Sequence, residues 1–179
     1  MIYIETPRLF IRDFKMEDLD DLQEIFGDYE TMKYLEEPYD KEKTRSFLKS
    51  FCIDKRGAFA VVLRKSNKLI GYILFNDVED EVYEMGWVFN RKFWRQGYAY
   101  EACSNFIDYC FNNMKVHKIF AETTDNIKAG GVIKKLGMEL EGIQRSHTTN
   151  LVGEWQDLYL YGILEPCSIS ENTGINFGE

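Results

Sequence analysis

Ala99, Cys103, Phe106, Ile107, Cys110, Phe111 and Met114 recur at helical spacing and form one apolar stripe. A stripe of that length commits the segment to a helix with one face packed on a sheet. Just before it, Val82 to Phe89 alternates Val82, Glu84, Gly86 and Val88 with Tyr83, Met85, Trp87 and Phe89, the period-two pattern of a strand with two differently composed faces. Glu84 and Gly86 are the odd members. A glycine inside a strand marks a bulge or a close approach of ligand or backbone, and a carboxylate beside it is not ordinary core material. The chain here must run strand, short loop and helix.

The remaining elements follow from the same periodicities. Tyr3 to Phe14 mixes β-branched, aromatic and polar residues and is expected to be the first strand. Leu19, Leu22, Ile25 and Phe26 place a helix over Glu17 to Phe26, with Glu17, Asp18, Asp20 and Asp21 as a solvated, dipole-compatible first turn. A second helix is expected from about Asp40 to Phe51. Ala58 to Leu63 and Leu69 to Phe75 are strands joined by a polar connection of hairpin length. After the long helix come a strand over Lys118 to Thr124, then a short helix whose apolar face is Ala129, Val132, Ile133 and Leu136. Asp125-Asn126 caps that helix and Gly137 ends it. Two strands, Glu139 to Thr148 and Trp155 to Ile163, complete the order β, α, α, three β, α, β, α, β, β. This describes one mixed α/β (α+β) domain over residues 1–165, followed by a polar tail over 166–179 that is expected to be mobile.

Composition narrows the function classes. With 179 residues, 45% of them hydrophobic, the chain has material for one real core. Its net charge of -8 should repel a phosphate backbone, which argues against general nucleic-acid binding and favours a cationic substrate. The acidic group Asp77, Glu79, Asp80, Glu81 and Glu84 could attract a polycation, although a solvated hairpin end explains it more simply. Cys52, Cys103, Cys110 and Cys167 form no CxxC pair, and with two histidines there is no zinc-ligand spacing; the cysteines read as reduced core thiols and no metal is expected. His117 reads as a boundary residue, while His147 on a late strand could reach an acceptor pocket. No apolar run approaches the roughly 20 residues of a membrane span, and the N-terminus lacks the regions of a signal peptide, so a cytoplasmic address is the expectation.

The loop before the long helix is where ligand chemistry concentrates. Gly97 and then a helix starting near Tyr98 gather several unpaired backbone N–H groups at one point, with the positive end of the helix dipole behind them. Gly97 removes a side chain from the approach, and Arg91, Lys92 and Arg95 add positive charge, so a diphosphate could lie against the main chain. One glycine alone also fits an ordinary strand-to-helix turn. The stretch is neither a Walker A loop nor a dinucleotide fingerprint, both of which need further residues at fixed offsets.

Trp94-Arg95-Gln96-Gly97-Tyr98-Ala99-Tyr100-Glu101-Ala102 resembles the W-G-K-G-Y-A-T-E-A stretch of the RimJ/RimL branch of the GNAT superfamily, the acetyl-CoA-dependent N-acetyltransferases. Thr6-Pro7-Arg8-Leu9-Phe10-Ile11-Arg12 is similar to that branch's T-x-R-L-x-L-R opening. Lys68-Leu69-Ile70-Gly71 is similar to its central hairpin and Glu84-Met85-Gly86-Trp87 to its E-x-G-Y/W strand. Asn126-Ile127-Lys128-Ala129 with Lys135-Leu136-Gly137-Met138, and Gly153-Glu154-Trp155-Gln156-Asp157, resemble its later motifs in the same order.

The resemblance implies a GNAT fold: a mostly antiparallel mixed sheet, flanked by helices, with a central parallel strand pair that splays to admit the pantetheine arm of acetyl-CoA. It implies that backbone groups of Trp87, Val88 and Phe89 pair with the pantetheine amides, and that the pyrophosphate meets the amides of Gln96, Gly97, Tyr98, Ala99 and Tyr100, with Arg95 beside them. Asn126 is matched to the asparagine that bonds the pantetheine arm. An oxyanion would face an N–H near Val88. Glu84 is the candidate catalytic residue, as general base or as the group that positions the substrate ammonium. The family's serine proton donor is Ala129 here and the tyrosine of other branches is Ile133, so both usual general acids are missing; a water or an unprotonated thiolate could serve. Gly130 and Gly131 suggest a close approach of cofactor or backbone. The implied acceptor is a primary amine, either a protein N-terminus or a small molecule such as a polyamine or antibiotic. A catalytically silent acyl-CoA-binding module is the alternative, and a homodimer is the oligomeric expectation.

Overall fold

The computed structural model describes residues 1–33, 35–125 and 128–166, and the side chains of all of these except 128–130. Its strands are β1 (Tyr3–Glu5), β2 (Leu9–Asp13), β3 (Ala58–Leu63), β4 (Leu69–Glu79), β5 (Val82–Phe89), β6 (Lys118–Thr123), β7 (Glu139–Thr149) and β8 (Trp155–Leu164). The α-helices are α1 (Leu19–Phe26), α2 (Tyr29–Met32), α3 (Lys41–Phe47), α4 (Tyr98–Asn113) and α5 (Lys128–Lys135). One sheet in the order β1-β2-β3-β4-β5-β6-β8-β7 contains all these strands, antiparallel at every step but β5–β6, which is parallel. The mixed, mostly antiparallel sheet with a central parallel pair is the architecture expected above.

Both faces of the sheet are covered, by helices that their apolar stripes predict. Cys103, Phe106, Ile107 and Cys110 of α4 and Ile133 and Leu136 at the α5 end pack on one face against Ile73, Phe75, Met85, Phe89, Ile119 and Ala121. Leu22, Ile25 and Phe26 of α1, with Leu48 and Cys52, pack on the other against Ala58, Ala60, Val62 and Tyr72. Cys52, Cys103 and Cys110 are free and buried; burial pushes the Cys52 and Cys110 thiols up to about 12, so both stay protonated and inert. Cys167 lies outside the described residues, as do Asn126 and residues 167–179 of the tail.

Four local expectations change. The first strand divides into β1 and β2, because Thr6 closes a turn: its N–H donates to the Leu9 carbonyl at 2.9 Å and its hydroxyl accepts from the Leu9 N–H at 3.0 Å. The second helix continues past α3 as a π-helical stretch, Leu48–Asp54, and the short α2, capped by the Asp28 carboxylate on Thr31 N–H, lies between α1 and α3. The acidic first turn of α1 is not simply a solvated face. Asp18 is buried and accepts two hydrogen bonds from Arg12 at 2.8 and 2.7 Å, while Asp21 takes Lys68 Nζ at 2.6 Å and Leu69 N–H at 2.9 Å. Finally, Gly86 sits in unbroken register opposite Leu74, so no bulge occurs there. A Cβ at Gly86 would approach no protein atom closer than 3.8 Å, so packing within the chain does not demand this glycine.

Candidate active site

The parallel pairing of β5 with β6 stops early. Val82, Tyr83 and Glu84 lie opposite Lys118, Ile119 and Phe120, and beyond this rung neither strand is partnered by the other. β5 nevertheless stays in register with β4 through Gly71 opposite Phe89, so it is β6 that diverges, held to β8 as far as Thr123 opposite Tyr159. A wedge with one unpaired strand edge on each side is thereby built into the middle of the sheet.

The main-chain groups facing that wedge can be named. Asn90 N–H donates to the Ile70 carbonyl at 2.8 Å, and the two-residue alternation of an antiparallel ladder then turns the main chain of Val88, Gly86 and Glu84 toward β4. Met85, Trp87 and Phe89 turn theirs toward the wedge. The expectation that Trp87, Val88 and Phe89 all present backbone groups there narrows to Trp87 and Phe89, because Val88 is engaged with Tyr72 across the ladder. The Phe89 carbonyl already accepts from the Trp94 indole N–H at 2.7 Å, which ties the following loop to the strand end.

That loop is shaped by its own side chains. Asn90 is buried; its side chain accepts from Lys92 N–H at 3.1 Å and opens a 3₁₀ turn over Arg91–Phe93. Arg95 then takes a φ of 59° and Gly97 a φ of 80°, two left-handed residues that fold the chain back into α4. No side chain caps α4, and its first internal bond is Glu101 N–H to the Gly97 carbonyl at 3.0 Å. The N–H groups of Tyr98, Ala99 and Tyr100 precede that bond and point out of the helix end, as an anion site requires. Of the three cations expected to assist, Arg91 pairs with Asp28 at 3.1 Å and Lys92 approaches Glu24 at 3.6 Å, both carboxylates of the α1–α2 region. Arg95 is exposed and makes no ion pair among the described residues, which leaves it as the cation available to a ligand.

A contact that no local pattern announces holds the loop from behind. Arg8 Nε donates to Glu101 Oε2 at 2.6 Å, Arg8 N–H to Glu101 Oε1 at 2.9 Å, and Arg8 Nη1 to the Gln96 carbonyl at 3.0 Å. The buried Thr6 hydroxyl donates to Glu101 Oε1 at 2.6 Å, and the guanidinium lies 4.3 Å above the Tyr98 ring. Burial works to raise the Glu101 carboxyl, but the bonds from Thr6 and Arg8 outweigh it and hold it below its ordinary value. The residues themselves stand in Thr6-Pro7-Arg8 and at Glu101, but nothing in either segment says that they meet.

At the closed end of the wedge, Asn76, Glu84 and Phe120 are opposite one another on adjacent strands and so share a face, the one with Leu74 and Val88, away from α4. Asn76 Nδ2 donates to Glu84 Oε2 at 3.2 Å. Glu122, two residues along β6 from Phe120, shares the face; its side chain is exposed, and its carboxyl is raised by partial desolvation, then by the charge of Glu84, with His147 acting the other way. The remaining acids of the hairpin, Asp77, Glu79 and Asp80, are exposed at its tip, and Glu81 pairs with Lys115. Ala129 lies in α5, and Ile133 is buried against the α4 face; neither side chain carries a proton donor. Gly131 is exposed, and a Cβ there would meet no protein atom within 4 Å, so backbone crowding does not account for it.

A splayed parallel pair with an anion-binding helix end at its open side suits a long ligand with an amide-bearing arm and a phosphate group. Residues 8–139 match the acetyltransferase (GNAT) domain family. The chain belongs to the GNAT acetyltransferase family. It is 37% identical over 167 residues, 92% of this chain and 98% of the relative, to the uncharacterized N-acetyltransferase YnaD of Bacillus subtilis (strain 168). The GNAT-family acetyltransferase of Bacillus anthracis superposes on it with a TM-score of 0.85 at 35% identity, covering 92% of this chain and 99% of that one. RimL, described as a ribosomal L7/L12 α-N-protein acetyltransferase in complex with coenzyme A, shares the fold with a TM-score of 0.81 at 16% identity, covering 91% and 98%. This protein is therefore an acetyl-transferring enzyme, and acetyl-CoA is the cosubstrate of its family. Among the described residues of this acetyltransferase, no helix is long and apolar enough to cross a membrane.

Proposed function

We propose that this enzyme is a RimJ/RimL-like N-acetyltransferase that moves acetyl from acetyl-CoA directly to a primary amine, with a protein N-terminal α-amine as the first acceptor class to test, in the cytoplasm. The observation that carries the reading is the loss of β5–β6 pairing after Glu84 and Phe120, with the free N–H groups of the α4 start at the open end. Bound acetyl-CoA would supply an activated acyl group. The amides of Gln96, Gly97, Tyr98, Ala99 and Tyr100, with Arg95, hold its pyrophosphate. Trp87 and Phe89 pair through their main chain with its arm, and an N–H of this edge stands ready for the developing oxyanion, already oriented by the sheet. Glu84 lies on the opposite face, where an amine can approach without crossing the cofactor. Its carboxylate holds the ammonium and fixes the angle of attack. With Ala129 and Ile133 in the usual donor positions, the sulfur leaves as thiolate or takes its proton from water.

The acceptor side supports a cationic substrate, since Glu84 and Glu122 share it. The test is release of the coenzyme A thiol from acetyl-CoA against a panel of spermidine, aminoglycosides and peptides beginning with Ala, Ser or Thr, with acetyl-CoA alone as control. Release above control with the peptides supports the N-terminal reading. Release with spermidine or an aminoglycoside alone replaces it with a small-amine acetyltransferase, and silence across the panel rejects both acceptor classes.

A further inference from the structure

Glu122 has no role in the sequence motifs, yet the fold brings it to the acceptor side of the wedge. β5 and β6 share their last rung at Glu84 and Phe120, and Glu122 is the next residue of β6 on that face, where the strands have begun to part. The two carboxylates stand on opposite lips of the opening and differ in their surroundings. Glu84 accepts a hydrogen bond from Asn76 Nδ2 at 3.2 Å, which holds its carboxylate in place. Glu122 accepts no hydrogen bond from the described residues, and Leu160 is its partner on β8. Lys118, on the same face of β6, is engaged with Glu141 at 2.7 Å. From the far side His147 faces Glu122, brought round by a break in the β7–β8 register between Gln144 and Thr148, where Ser146 takes a φ of 47° and its N–H is held by Asp157 at 2.9 Å.

We propose that Glu122 is the proton acceptor of the reaction, with Glu84 the partner that holds the substrate ammonium between the two strands. This rests on the acetyltransfer reading above. Of the two carboxylates that share this face, Glu84 is held by Asn76 and Glu122 is free of hydrogen bonds from the described residues; Glu122, whose proton affinity is raised by desolvation and then by the charge of Glu84, is the better base. Glu122 takes one proton from the ammonium, directly or through a water, and returns it to solvent. The freed nitrogen forms the N–C bond as the C–S bond breaks; the nitrogen's second proton passes to water, and the sulfur leaves as thiolate or takes its proton from water.

The experiment combines a carbon-13 carboxyl titration of glutamate-labelled enzyme with pH–rate profiles of the unmodified enzyme, Glu122→Gln and Glu84→Gln, using whichever panel amine is turned over. In the unmodified enzyme the Glu122 signal, identified by its loss in Glu122→Gln, should titrate above ordinary glutamates and move down in Glu84→Gln. Glu122→Gln should lower kcat about 100-fold or more and flatten the acid limb, with acetyl-CoA affinity and Tm unchanged. Glu84→Gln should raise the amine KM and shift the acid limb to lower pH. An acid limb and kcat retained by Glu122→Gln, or a Glu122 signal that ignores Glu84→Gln, overturns the proposal. No turnover of any amine by the unmodified enzyme overturns instead the reading on which it rests.

Discussion

Arg8 and Glu101 are 93 residues apart in the chain and are joined by two hydrogen bonds, 2.6 Å from the guanidinium and 2.9 Å from the main chain. Through them the β1–β2 turn grips the first turn of α4, and with the bond from Arg8 to the Gln96 carbonyl it fixes the loop that carries the proposed pyrophosphate site. Because Arg8 acts behind that loop, Arg8→Ala should weaken acetyl-CoA binding while leaving the amine KM unchanged. Charge-assisted bonds of this kind contribute about 1.5–3 kcal/mol each before solvent screening of the half-exposed guanidinium, so a loss of about 3- to 10-fold in affinity is expected by calorimetry, with partial rescue by Arg8→Lys.

Glu101 makes the same clamp sensitive to acid. Its carboxyl is depressed in the folded state, so its contribution to stability is present above the ordinary value of 4.5 and disappears as pH falls through the lower folded value. Glu101→Gln should destabilise the enzyme by about 1 kcal/mol at pH 7, and this deficit should shrink as pH falls below 4.5. Urea unfolding of both proteins at pH 7 and pH 3 measures it; an equal deficit at both would show that the charge contributes nothing.

Gly71 lies opposite Phe89 in the β4–β5 ladder, and a Cβ there would come within 2.7 Å of the Val88 carbonyl oxygen and 2.6 Å of the Phe89 ring. Since the carbonyl belongs to the backbone, relief requires the strands to part. Gly71→Ala should cost about 1–3 kcal/mol in urea unfolding and should also raise the acetyl-CoA KM, because the displaced residues form one edge of the wedge.

Gly97 takes a φ of 80°, and the proposed pyrophosphate site adds a second reason for glycine, the approach of a ligand to its main chain. Gly97→Val should lower acetyl-CoA affinity more than about tenfold, as strain of order 1–3 kcal/mol adds to obstruction. The readout is direct binding by calorimetry beside Tm, and full affinity would reject the loop as the pyrophosphate site.

Trp94 is 42% exposed, yet its indole N–H holds the Phe89 carbonyl. Trp94→Phe keeps an aromatic ring and removes the donor, freeing a carbonyl at the wedge edge. The expected outcome is a stability change under about 1 kcal/mol with a several-fold rise in acetyl-CoA KM, read from thermal unfolding and steady-state kinetics.

Much of this architecture was legible in local periodicity. The α4 stripe, the alternation of Val82 to Phe89 and the apolar face of α1 each state which side of the element must be buried; Cys103, Phe106, Ile107 and Cys110 of α4 are buried as the stripe names them, while Ala99, Phe111 and Met114 are half-buried and Ala102, outside the stripe, is buried. The Gly97 turn was equally legible, because only a residue without a side chain takes that backbone conformation cheaply. Contacts between segments distant in sequence were not. Nothing local to Thr6 and Arg8 says that they brace Glu101, and nothing in β6 alone says that Glu122 faces Glu84. Which main-chain groups border the wedge was also hidden, since Trp87 and Phe89 are distinguished from Val88 only by the ladder with β4. Hydrophobic burial is set by composition and spacing, so the chain's own pattern determined its helices, strands and core faces. Strand register and the early parting of β5 from β6 depend on packing across the whole sheet, and those decided where the site lies and which side chains meet in it.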